Sequence, residues 1–353
     1  MRLLKISFLI GFLALTFYGC KNDLKLNAPY KEYPSIYAVL NPNEEVQMIR
    51  VNKVFLSETD ANDVAKIADS VNYQPNEITV SLNHSTKPEV PIVFGESMVT
   101  TQDGAFSTSQ RVYVSPKDFK LEISGTYTLT VKNNNTGNIF TATTTAIGQI
   151  SQSQTSSLFS PPFYPYADTI PPAYYIDYSK TNQKYNIRFT PNEGTIYKVT
   201  VRFHFYDSLY NTSRVNRFVD FPSLNMKKMA NQDIQFPFTG ADVYSGLGLA
   251  LSKLKLDKDI EGRKMYKIEY IINSTTQEYQ DYLQYSLPSL SINQNKPLYS
   301  NFKDGNALGI FTFRTTFTLS KNPSTVYVNS FSSNSNTCNY KFYDSQLNLI
   351  GCN

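Results

Sequence analysis

The chain has 353 residues, 41% of them hydrophobic and only 18% charged, and its aromatics are 26 Tyr and 23 Phe with no Trp. That hydrophobic share excludes wholesale disorder, and the length asks for two domains or one large all-β domain. The formal charge is +4, and with Arg2 and Lys5 in a removable leader the mature chain carries 4 − 2 = +2. No basic run stands out, so nucleic acid is not an expected partner.

Residues 1–19 open on Met1-Arg2-Leu3-Leu4-Lys5, continue through an apolar stretch from Ile6 to Tyr18, and end at Gly19, directly before Cys20. The stretch is shorter than the roughly 18 residues of a spanning helix. An ordinary secretory signal would leave Cys20 as a spare thiol. A bacterial lipoprotein signal would make Cys20 the acylated mature N-terminus. A lone Cys closing the apolar run favours the lipoprotein signal, although Phe17 and Tyr18 are bulkier than the usual residues there. Acyl chains contribute about 0.8 kcal/mol per buried methylene, so two or three anchor a protein stably. The remaining cysteines, Cys338 and Cys352, are expected to pair in the oxidising compartment that export implies. Closing a loop of about 15 residues stabilises by roughly 3 kcal/mol.

Residues 20–33 have no clean periodicity and read as a tether. In 34–148 strands are predicted at 36–40 and 46–56 around the turn Asn41-Pro42-Asn43, then at 78–82, 90–94, 110–114, 126–132 and 139–146. A short helix is predicted over 60–71, with Val64, Ile67, Ala68 and Val71 on one face. Short, evenly spaced strands point to an immunoglobulin-like β-sandwich. Residues 149–173 turn Ser/Gln-rich, then Pro- and aromatic-rich, and read as a linker. The remainder, 174–353, is a larger β-rich domain, sandwich or barrel-like, with strands at 185–190, 196–206, 214–221, 264–272, 309–319 and 325–331. One helix interrupts it, with a capping box at Thr275-Thr276-Gln277-Glu278, a face of Tyr279, Tyr282 and Leu283, and a stop at Pro288. The fold class is mainly β.

Three stretches carry a family likeness: 36–43 with 47–56, Tyr279–Tyr285, and Leu298-Tyr299-Ser300-Asn301 through Leu308-Gly309-Ile310-Phe311. On these the chain resembles outer-membrane and cell-surface lipoproteins of Bacteroidota, which have an amino-terminal sandwich followed by a β-rich domain. The resemblance implies location in the outer membrane and a large β-barrel protein as partner. A cluster of acids after the lipidated Cys directs such proteins to the surface; Lys21-Asn22-Asp23 supplies one. Read physically, Gly305 and Gly309 permit backbone conformations closed to other residues, and Asn301 can cap a turn. A fold-defining turn is the favoured reading over a ligand site.

Chemistry-bearing patterns are sparse. His84 and His204 fall in different expected domains, and His204 shares a strand face with Thr200, Arg202 and Tyr206. No Cys/His cluster suits zinc, no Gly-x-Ser-x-Gly elbow is present, and Gly246-Leu247-Gly248 lacks the third glycine of a dinucleotide loop. No cofactor or metal is expected, and no enzymatic activity. The best docking candidates are Phe163, Tyr164, Tyr166, Tyr174 and Tyr175, presented by a proline-stiffened segment, against the alternative that this segment lies on its own domain. Ser70, Thr169 and Ser208 sit in Asp-Ser/Thr-apolar tripeptides that resemble O-glycosylation acceptors of exported proteins in these bacteria. The reading is a non-enzymatic outer-membrane lipoprotein, an accessory subunit of a β-barrel complex for nutrient transport or for protein secretion or insertion. The alternative is a stand-alone surface lipoprotein that binds glycans or acts as an adhesin.

Overall fold

Many of the strands alternate buried and more open side chains. In β1 (Pro34–Leu40) the residues Ile36, Ala38 and Leu40 are buried and those between them are not. The computed structural model describes residues 32–54, 68–100, 109–150, 159–160, 175–210, 213–228, 232–254, 259–286 and 299–352. β2 (Met48–Lys53) returns antiparallel to β1, placing Arg50 opposite Tyr37. Their turn is tied by the Asn41 amide donating to Gln47 Oε1 at 2.8 Å and the Asn43 amide donating to Asn41 Oδ1 at 3.1 Å.

β3 (Ile78–His84), β6 (Thr126–Asn133) and β7 (Ile139–Thr145) form a second sheet, and β5 (Ser109–Val114) joins β2. β4 (Lys87–Thr100) belongs to both sheets: it pairs with β3 up to Phe94 and with β5 from Gly95 onward. Ile36, Ile49 and Tyr113 from one sheet meet Val80, Leu129 and Phe140 from the other in one core. The expected two-sheet sandwich is therefore present. Its parallel β1 pairing, described below, departs from the wholly antiparallel immunoglobulin plan.

The second core is built on β11 (Ile196–Leu209), β12 (Arg214–Lys227) and β14 (Ile260–Thr275). Inward Val201, Phe203 and Phe205 pack against β10 (Lys184–Phe189) and β13 (Ile234–Thr239) of a three-stranded sheet completed by β8 (Phe159–Ser160). Helices α2 (Gly240–Ser252) and α4 (Thr325–Ser333) close the same side through Tyr244, Leu247, Tyr327 and Phe331.

β15 (Leu308–Pro323) runs from one core to the other across the boundary read at 149–173. Its first part pairs in parallel with β1, from Ser35 opposite Leu308 to Leu40 opposite Phe313. Its second part pairs antiparallel with β14, from Thr275 opposite Arg314 to Ile268 opposite Lys321. One 12-stranded sheet thus runs through the molecule. Phe311 and Phe313 enter the first core, while Phe317 and Leu319, on the same side of the strand, pack on the second.

Three local expectations change. The segment 325–331 is helical, because Ser324 Oγ accepts from the Tyr327 amide at 3.0 Å and Tyr327 and Phe331, one turn apart, are the buried pair. Helix α2 went unpredicted beneath its glycines, although Thr239 and Asp242 form a capping box. Helix α3 (Gln277–Ser286) is present, but its capping hydroxyl is Thr276, accepting from the Tyr279 amide at 3.3 Å, since Thr275 still belongs to β14. Of the helix expected over 60–71, α1 (Ala68–Val71) lies within the described residues.

Candidate functional site

Because the helices and the three-stranded sheet pack on one side of β11, β12 and β14, the other side of these strands faces outward. Arg202, His204 and Tyr206 of β11 point there, as the alternation predicts, although Thr200 of the same row is 8% exposed and counts as buried. Opposite them on β12 stand Asp220, Phe218 and Asn216, and on β14 stand Glu269, Lys267 and Lys264. A β-bulge adds a further ring. Between the pairs His204–Lys267 and Phe205–Met265, Tyr266 has no opposite number. The extra residue re-aims the strand, so Met265 is buried and Tyr266 is 37% exposed.

The result is an aromatic strip edged with charge. His204 lies 6.1 Å from both Phe218 and Tyr266, and Tyr266 stacks 6.2 Å from Tyr206, centroid to centroid. The Arg202 guanidinium sits 3.9 Å over Phe218 and holds Asp220 through two nitrogens, at 2.8 and 3.0 Å. Arg214 lies 4.6 Å over Tyr206. Phe218 is 49% exposed, which marks it as a ring offered to solvent. Glu269 accepts from Lys267 at 3.2 Å, from Ser320 Oγ at 3.2 Å, and shares a hydrogen bond of 3.1 Å with His204 Nε2. Burial holds the His204 imidazole below its usual value and outweighs the pull of Glu269 in the other direction. Burial raises the Glu269 carboxyl, but the hydrogen bonds from His204 and Lys267 and the Lys267 charge leave it below its usual value.

Among the expected docking residues, Tyr175 is in β9 (Tyr175–Ile176), paired with Asn322 at the end of β15. Tyr175 is 38% exposed whereas Ile176 is fully buried, so the tyrosine stands on the open side, continuing the row from Phe218 and His204 through Lys267 toward Asn322. Phe163, Tyr164, Tyr166 and Tyr174 lie outside the described residues, as do Cys20 and Thr169. Ser70 lies on α1. Ser208 is half-buried in β11 between Arg214 and Gly262, and Asp207 before it is 1% exposed. Cys338 and Cys352 stand at disulfide distance, with Cα atoms 5.0 Å apart.

His84 is a packing residue. Its ring nitrogens meet Thr86 Oγ1 at 2.8 Å and the Ser124 carbonyl at 2.7 Å, and its ring lies 4.6 Å from Tyr127. Gly246 and Gly248 are inside α2, not in a loop. Among the described residues no group of three or more His, Cys, Asp or Glu is placed to hold a metal ion. No described helix is long and apolar enough to cross a membrane. No protein-family model matches the chain, and no curated protein matches it.

Phe218 and Arg214 were legible in the alternation of β12. Tyr266 was not: by parity it shares a side with the buried Ile268 and Tyr270, and only the bulge turns it outward.

Proposed function

We propose that this chain is a non-enzymatic, lipid-anchored protein of the outer membrane that serves as accessory subunit of a β-barrel complex. The observation that carries the binding role is the open side of β11, β12 and β14, where Phe218, Tyr266 and Tyr206 stand beside Arg202, Arg214 and Lys267. Exposed aromatics with arginine are the composition of interface anchors, which each contribute about 2 kcal/mol or more when seated in a partner. The anchoring role rests on Cys20 at the end of the apolar leader, and the partner class on the resemblance to Bacteroidota lipoproteins. Anchoring in a membrane also raises the effective concentration near a barrel, so modest affinity suffices.

The test is purification of the full-length protein in mild detergent. A β-barrel is expected at a stoichiometric ratio, and Phe218→Ser with Tyr266→Ser should lose it without lowering the melting temperature. Cys20→Ala should remove acyl label and membrane association. A protein that emerges alone, retains its acyl label and is retarded by oligosaccharides would favour the glycan-binding alternative. The observation behind that alternative is the run of neighbouring rings at spacings of 6.1 to 6.2 Å, of which Tyr206 and Tyr266 lie within 27° of parallel, so that sugar faces can stack on individual rings.

A further inference from the structure

Glu32, two residues before β1, is bound through both carboxylate oxygens to the turn that joins β6 to β7. Oε1 accepts from Asn133 Nδ2 at 2.5 Å and from the Tyr73 hydroxyl at 3.4 Å. Oε2 accepts from Thr136 Oγ1 at 2.9 Å and from Asn138 Nδ2 at 2.6 Å. The turn holds these donors in place by its own bonds. Asn133 is 1% exposed, and its Oδ1 accepts the amides of Asn135 and Thr136 at 2.9 and 3.1 Å. The Gly137 amide donates to the Asn133 carbonyl at 2.8 Å, with Gly137 at φ +77°. The carboxylate therefore meets a ready socket, and hydrogen bonds to an ionised acceptor are the strong ones.

Three turns, 74–77, 133–138 and 303–306, meet at this end of the first sandwich. Asn134 Nδ2 donates to the Asn76 carbonyl at 2.9 Å, and Asn306 Nδ2 donates to the Ile139 carbonyl at 3.4 Å. The Tyr33 hydroxyl donates to the Gly305 carbonyl. Among the described residues here, the open charged side chains are Lys132, Lys303 and Asp304, two cations against one acid. Glu77 is 3.9 Å from Lys53, and Glu32 is taken up by the socket.

The strands give this end a direction. β1 and β15 both start here and run in parallel, and β15 continues into the second core. From Leu308, opposite Ser35, to Lys321, opposite Ile268, β15 advances about 43 Å at roughly 3.3 Å per residue. Residues 21–31 separate Cys20 from Glu32, and even fully extended that connection spans only about 40 Å. With the second core against a bilayer, the connection would have to be drawn taut, at a cost in chain entropy. With the gripped end against the bilayer it has length to spare.

We propose that the end of the first sandwich that grips Glu32 faces the phospholipid headgroups, so that β15 carries the second core and its open face away from the membrane. The inference deepens the lipid-anchored reading and rests on it for the lipid at Cys20. A polar, Asn-rich end suits the wet headgroup zone, and Lys132 and Lys303 suit its phosphates.

The test uses the full-length lipidated protein, added to preformed vesicles of phosphatidylethanolamine and phosphatidylglycerol with an acceptor dye on some headgroups. A donor dye is clicked to p-azidophenylalanine in place of the exposed Asn135 or, in a second protein, of the exposed Thr318 on β15. Energy transfer from position 135 should exceed that from 318 at least twofold. Equal transfer, as from a molecule lying on its side, or the reverse order would overturn the proposal. Thr136→Ala with Asn138→Ala alters two exposed side chains and leaves Lys31-Glu32 intact as a trypsin site. Cleavage after Lys31 should quicken at least threefold with the melting temperature within a few degrees of wild type; an unchanged rate would overturn the grip. Acyl label on Cys20 is read separately, and its absence would overturn the lipid-anchored reading. Coupling the Cys20 thiol to a maleimide lipid then decides the orientation from the same two positions, with the same outcomes for and against.

Discussion

Arg263 and Asp207 hold one another at 2.9 Å with both side chains 1% exposed. Arg217 reaches the other carboxylate oxygen at 3.1 Å from the half-open edge. The Arg263 guanidinium lies 5.3 Å from the Phe205 ring centroid and 6.0 Å from that of Phe342, and its Nη1 is buried without a hydrogen-bond partner. A charge so enclosed depends on its counterion.

Breaking the pair from one side should therefore be severe. Asp207→Ala is expected to lower unfolding stability by about 3–5 kcal/mol, since it strands a buried guanidinium. Asp207→Leu with Arg263→Met should recover most of that loss, because two apolar side chains need no partner. Urea unfolding of the three proteins distinguishes this from simple additivity, in which the double variant would be the least stable.

Gly309 has φ +108°, and a Cβ there would overlap the Ile36 carbonyl oxygen. Gly309→Ala is expected to reduce stability by about 3 kcal/mol or more, combining backbone strain with a collision between paired strands. Gly305 has φ +57° with open space around it, so Gly305→Ala should lose only about 1–2 kcal/mol. Equal effects in thermal unfolding would deny the close approach of β15 to β1.

The depressed His204 makes stability depend on pH in a definite direction. Its folded form binds protons less readily than the unfolded chain, whose imidazole titrates near 6.5. Stability present at neutral pH should fall as pH drops below about 6.5 and stop falling once the folded imidazole is also protonated. Glu269 is depressed as well, and its contribution is lost lower, as pH falls from its unfolded value near 4.5 through its folded one. Melting curves of the wild type and His204→Gln should converge on the acid side of 6.5. Parallel pH profiles would count against the assignment.

Cys338 and Cys352 should resist alkylation in the protein isolated without reductant until reductant is added, and mass spectrometry after alkylation reads this directly. With a sequence separation of 14, replacing both by Ser should lower stability by at most about 3 kcal/mol. Finding both thiols alkylated without reductant would refute the bond.

The sequence pattern made β1, β3, β6 and β7 readable because each obeys a period of two over a few residues, and the same pattern put His204 on the open side. What escaped was either one residue long or very distant. The bulge at Tyr266 leaves no local mark, and Thr325-Val326-Tyr327-Val328 alternates as a strand would until Ser324 caps it and Tyr327 pairs with Phe331. Thr239-Gly240-Ala241-Asp242 did carry a capping signature, masked by the glycines that follow. The segment behind the family likeness proved structural: Asn301 brackets the Phe311 backbone, donating to its carbonyl at 2.7 Å and accepting from its amide at 2.9 Å. No local pattern could place Leu308–Phe313 beside β1.

That last pairing sets an order of events. Synthesis proceeds from the amino end, so the β1 hairpin exists while the strand meant for its free edge is still unmade. Until residues 308–313 arrive, the first sandwich lacks Phe311 and Phe313 in its interior and presents a bare edge to any passing chain. Loop closure across so long a separation is slow, so the first half waits for the last of the described strands. A fragment ending near residue 148 should for the same reason be aggregation-prone rather than a smaller working copy, since its β1 edge stays unpaired and the places of Phe311 and Phe313 stay unfilled.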